Sequence, residues 1–198
     1  MVAIQPRNVS EMNENKNREM NVFFVPCSGD IARTNFRNTV SKPKSLESLK
    51  QCGSSEKALS VLASTGRTSF SVWGFGSGPK NTGFYNRLEK GDIVVFSRRV
   101  GDENFIYACG TVVCKEVNEK LSEHIWNLDG DHSSFRNLFY MEDCFDELHV
   151  RLEPADLGYD SGYHFGTSVC YGVGNEKRNI ILERVNAALM DGSGRKVC

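Results

Sequence analysis

The sequence contains no hydrophobic run close to the roughly 20 residues that a membrane-spanning helix needs. Its first 18 residues, MVAIQPRNVSEMNENKNR, lack the continuous apolar stretch of a secretory signal. We therefore predict an intracellular protein without a membrane partner, either cytoplasmic or, in a eukaryote, nuclear. The seven cysteines are odd in number and scattered. This spacing argues against a disulfide framework and predicts reduced thiols, mostly buried on strands.

Catalytic motifs are also missing from the sequence. It has no glycine-rich phosphate loop, no GxSxG elbow, no HExxH helix and no paired CxxC. A zinc site drawing on Cys109, Cys114, Cys144 and His149 is conceivable, but strand positions explain those cysteines. The carboxylates of residues 142–147 have no matching lysine and read as a solvated turn, not as a nuclease site. We predict no catalytic residue, no metal and no cofactor, and hence no cleavage of nucleic acid.

The net charge is −1, but the basic and acidic residues are distributed unequally between the two halves of the chain. Residues 1–99 hold 15 Lys and Arg against 8 Asp and Glu, whereas residues 100–198 hold 9 against 17. A basic half on a nearly neutral protein suits a local polyanion site, although solvated surface is the simpler interpretation.

The pattern of apolar residues predicts one α+β domain over 21–190, between a disordered arm at 1–20 and a flexible tail at 191–198. Strands are predicted over 21–25, 70–75, 92–97, 105–114, 138–141 and 148–152, with a hairpin turn at 101–104. Helices are predicted over 30–40, 116–126 and 175–189, with two short helices or a helix and a loop over 46–62, and a loop from residue 76. Consecutive strands favour a curved mixed sheet or a small barrel with flanking helices.

Both tryptophans lie beside predicted loops. Trp73 stands in SVWGFG, at a strand end, before a loop that contains Lys80 and Asn81. Trp126 precedes the polar stretch NLDGDH. Each tryptophan could be a core anchor. Each could equally be a stacking surface for a base, an interaction worth about 1–3 kcal/mol.

Several segments follow one another in a characteristic order. They are FFVP with Asn35-Phe36 and Thr39, then VWG at 72–74, then LxxGDIVVF ending at Phe96. Asn118 and Leu121 before Ile125-Trp126, FRNLFYM at 135–141, Phe165 and the last helix continue the order. Over about residues 21–189 this order resembles the EVE/YTH-like branch of the PUA superfamily, which includes domains found in modification-dependent restriction systems. It implies a PUA-like barrel in which tryptophans enclose a methylated or otherwise modified, flipped-out base.

Carried over by position, the resemblance implies two groups of site residues. The modified base would be bound by Trp73, Gly74, Phe75, Asn81, Trp126 and Phe135. The nucleic-acid backbone would be contacted by Ser28, Arg33, Asn35, Arg37, Lys80, Arg98 and Arg99, with Lys42 as a further cation. The family often places another aromatic residue shortly after the second tryptophan, whereas this chain has Asp131 to Ser134. The cage could be open, completed by Phe75 or Phe135, or built for another base.

The leading hypothesis is a non-enzymatic reader of a base such as N6-methyladenine or 5-methylcytosine in DNA or RNA. It could act alone or as the specificity part of an assembly whose effector is a nuclease or an NTPase. The alternative is a PUA-like RNA-binding or RNA-processing domain without preference for modification. A reader predicts Trp73 and Trp126 lining one pocket, and alanine variants that stay folded but bind weakly. A general RNA binder predicts a basic groove without a cage, and an enzyme predicts converging carboxylates, Cys or His.

Overall fold

The structure is a computed structural model that describes residues 20–126, 135–160, 162–163, 165, 168–170 and 175–198. Its strands are β1 Val22–Pro26, β2 Lys44–Ser45, β3 Ser69–Phe75, β4 Ile93–Val100, β5 Glu103–Val117, β6 Asn137–Leu152, β7 Ser168–Cys170 and β8 Arg195–Lys196. Its helices are α1 Asp30–Thr39, α2 Leu46–Gln51, α3 Glu56–Ser64, α4 Pro79–Arg87, α5 Glu119–Trp126 and α6 Glu176–Met190, with a 3-10 helix at Pro154–Leu157. The arm predicted at 1–20 lies outside the described residues except for Met20.

The strands form one mixed sheet in the order β2-β3-β6-β5-β4-β1-β7, with β8 paired to β6. β1 runs parallel to β4, and the other pairs are antiparallel. The prediction of an α+β fold with a mixed sheet and flanking helices is confirmed. The barrel alternative is not: the path of described strands ends at β2 on one side and at β7 on the other.

Neighbouring residues of the central strands pack into different cores because side chains alternate across a sheet. Phe23 and Phe96 belong to a cluster beneath α1, whereas Phe24 and Val95 belong to a cluster that includes Ile181 of α6. A third cluster joins α2, α3 and α5 to the outer faces of β3 and β6. The sheet is therefore covered on both faces, as the apolar runs of β1 and β4 require.

Several local predictions are confirmed. The hairpin of β4 and β5 turns at Gly101, whose φ of +59° suits glycine. Residues 46–64 form two short helices, capped by the Ser45 and Ser55 hydroxyls. The Asn175 side chain caps α6 by accepting from the Arg178 amide.

Two predictions about loops are wrong. The loop predicted from residue 76 is short, because Pro79 occupies the first turn of α4, where its missing N–H costs nothing. Lys80 and Asn81 therefore lie on a helix. The acidic stretch at 142–147 is not a solvated turn. It is the middle of β6, and Glu142 and Asp146 are buried there.

β6 is bulged where these acidic residues lie. Between Ile106 and Ala108 of β5, the partner on β6 moves from Val150 to Asp146, which leaves extra residues on β6. Asp143, Glu147 and His149 adopt positive φ angles of 48°, 61° and 50°. Left-handed backbone at a non-glycine residue costs about 1–3 kcal/mol and often marks functional sites. The bulges re-aim the side chains of Glu147 and His149.

Residues 191–198, predicted to be a flexible tail, include a strand that pairs with the sheet. β8 pairs with Phe145 and Asp146 of β6, and the Val197 amide donates to the Cys144 carbonyl at 2.9 Å. The Cys198 side chain packs partly buried against the core beneath α1. Backbone groups at the edge of the bulged β6 supply the hydrogen-bonding partners that hold this segment. The short polar sequence of residues 191–198 does not predict this pairing.

Candidate nucleic-acid interface

The two tryptophans are brought together, but inside the protein. Their ring centroids lie 6.3 Å apart with an angle of 76° between the planes. Trp73 is 4% exposed and Trp126 is 8% exposed. Phe135 joins them, at 6.5 Å from Trp73 and 5.5 Å from Trp126. Three of the four predicted base-binding aromatics therefore form one cluster whose rings pack on each other.

Two consecutive hydrogen bonds connect Trp126 to α1. Its indole Nε1 donates to Thr39 Oγ1 at 3.4 Å, and Thr39 Oγ1 donates to the Asn35 carbonyl at 2.9 Å. Gly74 makes room for the ring, since a Cβ at this position would stand 3.0 Å from Trp126 Cη2 and 2.5 Å from the Phe135 carbonyl oxygen. Gly74 is therefore required for packing of the cluster.

Two further predicted base contacts are not part of this group of three rings. Phe75 is buried and shares the core beneath α1 with Trp73, but its ring packs on Phe139, with ring centroids 5.4 Å apart. Asn81 lies on α4, where its Nδ2 would stand 3.6 Å from a Cβ on Gly76. The polar loop predicted after Trp126, residues 127–132, lies outside the described residues.

A cavity of about 670 Å³ lies beside α1. Five cationic side chains line it, those of Arg33, Arg37, Lys42, Arg98 and Arg195. Arg33 and Arg37 are one turn apart on α1 and so share a face. Three of the predicted backbone contacts, Arg33, Arg37 and Arg98, thus meet at one place, and Lys42 joins them.

Most of these charges are not neutralised internally. Arg33 pairs with Asp30, and Arg195 pairs with Asp146 at 2.8 Å. Arg37, Lys42 and Arg98, by contrast, form no ion pair with any carboxylate of the described residues. Three cations that face one cavity and form no ion pair among the described residues make it attractive to an anion.

The floor of the cavity is aromatic. Phe36 and Tyr107 line it, with ring centroids 4.8 Å apart. The guanidinium carbon of Arg98 lies 5.2 Å from the Tyr107 centroid, which is a cation–π distance. Burial, together with the neighbouring Cys27 thiol, raises the pKa of Tyr107, so its hydroxyl stays protonated. The cavity therefore combines aromatic side chains with positive charge.

The opposite wall is contributed by the bulged part of β6. Asp146, Glu147 and His149 line it. Arg195 donates to both Asp146 oxygens, at 3.0 Å and 2.8 Å, and lies 3.4 Å from Glu147. Asp146 is therefore engaged as the internal partner of Arg195. β8, in the segment predicted to be a flexible tail, supplies this arginine.

The remaining predicted backbone contacts do not line the cavity. Asn35 is buried on the inner face of α1. Ser28 Oγ accepts from the Arg99 amide at 3.4 Å, and the Arg99 guanidinium pairs with Asp102 at 2.6 Å. Lys80 is exposed on α4. Sequence reasoning missed Phe36, Tyr107 and Arg195, and only Arg195, a lone cation near the chain end, could have been noticed.

No family model, no curated protein and no solved structure matches this chain. Within the described ranges, no group of three or more His, Cys, Asp or Glu is placed to hold a metal ion. The zinc ligand set conceivable from sequence is thus not assembled. In the same ranges, no helix is long and apolar enough to cross a membrane.

The buried thiols predict alkaline instability. Cys27 lies beneath α1, where burial raises its pKa from 9.0 to about 11, and burial raises the pKa of Cys109 to about 12. Below pH 9 both folded and unfolded states keep these protons. Above it the unfolded state loses them first, so stability falls as the pH rises towards 11. Between pH 8 and pH 10.5 we expect Cys27 alone to contribute a fall of about 2 kcal/mol. Denaturant unfolding at pH 8 and pH 10.5 measures it.

The control for that measurement is Cys27→Ala. For each protein, the free energy of unfolding at pH 10.5 is subtracted from that at pH 8, and these differences are compared. The variant should lose less stability over this interval because one raised pKa has been removed. An equal fall in both proteins would mean that Cys27 does not keep its proton in the folded state.

Proposed function

We propose that this protein is a non-enzymatic binder of nucleic acid that holds a strand across the cavity beside α1 and reads a modified base. The observation that supports it best is the convergence of five cations on a cavity with an aromatic floor. Phosphates provide the matching charge, and bases provide the matching flat surface. Nucleic acid satisfies both features with one ligand.

The cations explain the affinity for nucleic acid but not any preference for a nucleotide sequence. Arg and Lys contacts with phosphates position a strand, and their energy depends on the release of counterions. Arg37 and Lys42 need no internal ion pair to be broken before they bind, among the residues described. A net charge of −1 limits binding far from the site, which favours local engagement over coating of long duplexes.

The finer part of the proposal is selection of a modified base. A methyl group contributes only about 0.8 kcal/mol on burial, so preference must come from close aromatic contact. The chain offers two groups of aromatic rings near α1: the cluster of Trp73, Trp126 and Phe135, and the pair of Phe36 and Tyr107. Extrusion of the base costs a few kcal/mol, which the phosphate contacts must offset.

A second candidate is an RNA-binding or RNA-processing domain without preference for modification. The specific observation in its favour is that the cations line the cavity whereas Trp73 and Trp126 do not. In either case any effector activity, such as that of a nuclease or an NTPase, would reside on a partner protein. An intracellular compartment, cytoplasmic or nuclear, is part of the same proposal because nucleic acid is the ligand.

The test is a binding panel of matched oligonucleotides that differ only at one base, in single- and double-stranded DNA and RNA. Fluorescence anisotropy measures the affinity of each. Preference for a modified strand supports the reader, and equal affinity for modified and unmodified RNA supports the second candidate. Absence of binding to every strand at low salt would refute both. End-labelled strands incubated with Mg²⁺, Mn²⁺ or Zn²⁺ should remain intact, whereas scission lost on mutating Glu142, Asp143 or Asp146 would show an enzyme.

Arg37→Met should weaken binding to modified and unmodified strands alike. The side chain lines the cavity, and one lost phosphate contact lowers the slope of log affinity against log salt by about 0.7–0.9. Titrations at several salt concentrations measure this slope. Lys57→Met is the charge-matched control, because Lys57 is exposed on α3 and does not line the cavity. Equal effects of the two changes would show that only net charge matters.

A further inference from the structure

The tryptophan pair is closed in a way that disfavours insertion of a base. A flat base held between two rings needs both rings nearly parallel to it. The planes of Trp73 and Trp126 stand at 76°, and neither residue lines the cavity beside α1. Trp73 is also packed edge-on against Phe96, with centroids 5.4 Å apart. Opening the pair would therefore uncover core that now includes β4.

The cavity beside α1 already has what an extruded nucleotide needs. Its volume of about 670 Å³ lies in the usual range for small-ligand sites. Phe36 and Tyr107 line it, so the small exposed part of each residue, 4% and 8%, borders the cavity. Arg33 and Arg37 stand on the wall formed by α1.

Arg98 is the residue that most directly indicates a ligand. Its guanidinium lies over the Tyr107 ring at 5.2 Å. Its Nε is buried, and among the described residues no acceptor bonds to it. A buried guanidinium N–H without an acceptor is costly, and an acceptor that enters the cavity would remove that cost. Guanidinium planes also stack on bases, and their N–H groups bond to base edges and phosphates.

We propose that the flipped-out nucleotide enters the cavity beside α1, with its base against Tyr107 and Arg98 and its phosphate between Arg33 and Arg37. The tryptophan pair then supports the pocket from behind and does not touch the base. This rests on the proposed function, because it places the ligand of that function. It assigns Tyr107 and Arg98 as the residues that select the base.

The experiment uses the full chain and the strand that binds best in the oligonucleotide panel. Arg98→Met keeps an unbranched side chain of similar length but removes the guanidinium. It should weaken binding about tenfold or more, in line with loss of one stacking contact. Arg151→Met is the matched control: Arg151 lies at the end of β6, is paired with Glu103 and Glu153, and does not line the cavity. Its affinity should change less than twofold.

A second measurement does not depend on any variant folding. In NMR titrations of the wild-type protein, amide signals of Phe36, Arg98 and Tyr107 should shift more than the indole N–H signals of Trp73 and Trp126. Larger indole shifts, with equal affinities for Arg98→Met and Arg151→Met, would overturn the placement and assign the base to the tryptophan cluster. Absence of binding by the wild-type protein would instead refute the proposed function itself.

Discussion

Trp73→Ala should lower the free energy of unfolding by about 3–5 kcal/mol, the usual cost of removing a large aromatic side chain from a core. Trp73 is 4% exposed and contacts Phe36, Phe96 and Trp126. Its removal would leave a cavity beneath α1, the helix that carries Arg33 and Arg37. Urea unfolding monitored by circular dichroism measures the change. The expectation drawn from the sequence is different: the alanine variant stays folded and its main defect is weaker binding.

Val117→Ala is the control for that prediction. Val117 is 62% exposed at the end of β5, so its truncation should change stability by no more than about 0.5 kcal/mol. A Trp73→Ala protein with unchanged stability and selectively weakened binding of modified strands would contradict the packing role and return Trp73 to the base-binding site. Binding must therefore be measured in the same preparations, under conditions in which the variant remains folded.

Gly74→Ala should destabilise the protein by about 1–3 kcal/mol, although alanine is the smallest side chain that can be added. The new Cβ would stand 2.5 Å from the Phe135 carbonyl oxygen and 3.0 Å from Trp126 Cη2. The first is a backbone atom and cannot rotate away, so the chain at Phe135 or β3 itself must move. Denaturant unfolding measures the loss, and tryptophan fluorescence reports displacement of the Trp126 ring.

Gly76→Ala is the matched control two residues further on. Its Cβ would meet only Asn81 Nδ2, at the ordinary contact distance of 3.6 Å. Because the substitution also reduces the freedom of the unfolded chain, we expect no loss of stability, or a small gain of about 0.4–1 kcal/mol. Equal destabilisation by both substitutions would show that β3 requires glycine for a backbone reason and not for the packing of Trp126.

The resemblance to EVE/YTH-like domains implied four aromatic residues around an open pocket, and three of them come together in the structure with both tryptophans buried. Trp73, Trp126 and Phe135 are far apart in the chain and do form one cluster. Whether such a cluster opens to solvent or closes on itself depends on small rotations set by α1, Gly74 and Thr39. A sequence pattern records the presence of these residues and not the angles between their rings.

For the basic residues too, the sequence predicted which residues are involved and the structure decided how they are arranged. Excess Lys and Arg in the first half was evident, and Arg33, Arg37 and Arg98 were among the predicted contacts. Arg99, next in sequence to Arg98, instead pairs with Asp102 in the hairpin turn. Adjacent residues on a strand point to opposite faces, so the register of β4 decided which arginine reaches the cavity.

By itself, the sequence determined the α+β class, the hairpin of β4 and β5, and the capped helix α6, because period, turn residues and caps act over a few residues. Only the tertiary structure decided that residues 142–147 form the bulged middle of a strand, that Arg195 pairs with the buried Asp146, and that Tyr107 meets Arg98 beside α1. These arrangements join residues about 50 positions apart or depend on a bulge in a strand. Sequence periodicity does not predict such contacts, because the pairing of strands, and not the local conformational preference of the residues, brings the partners together.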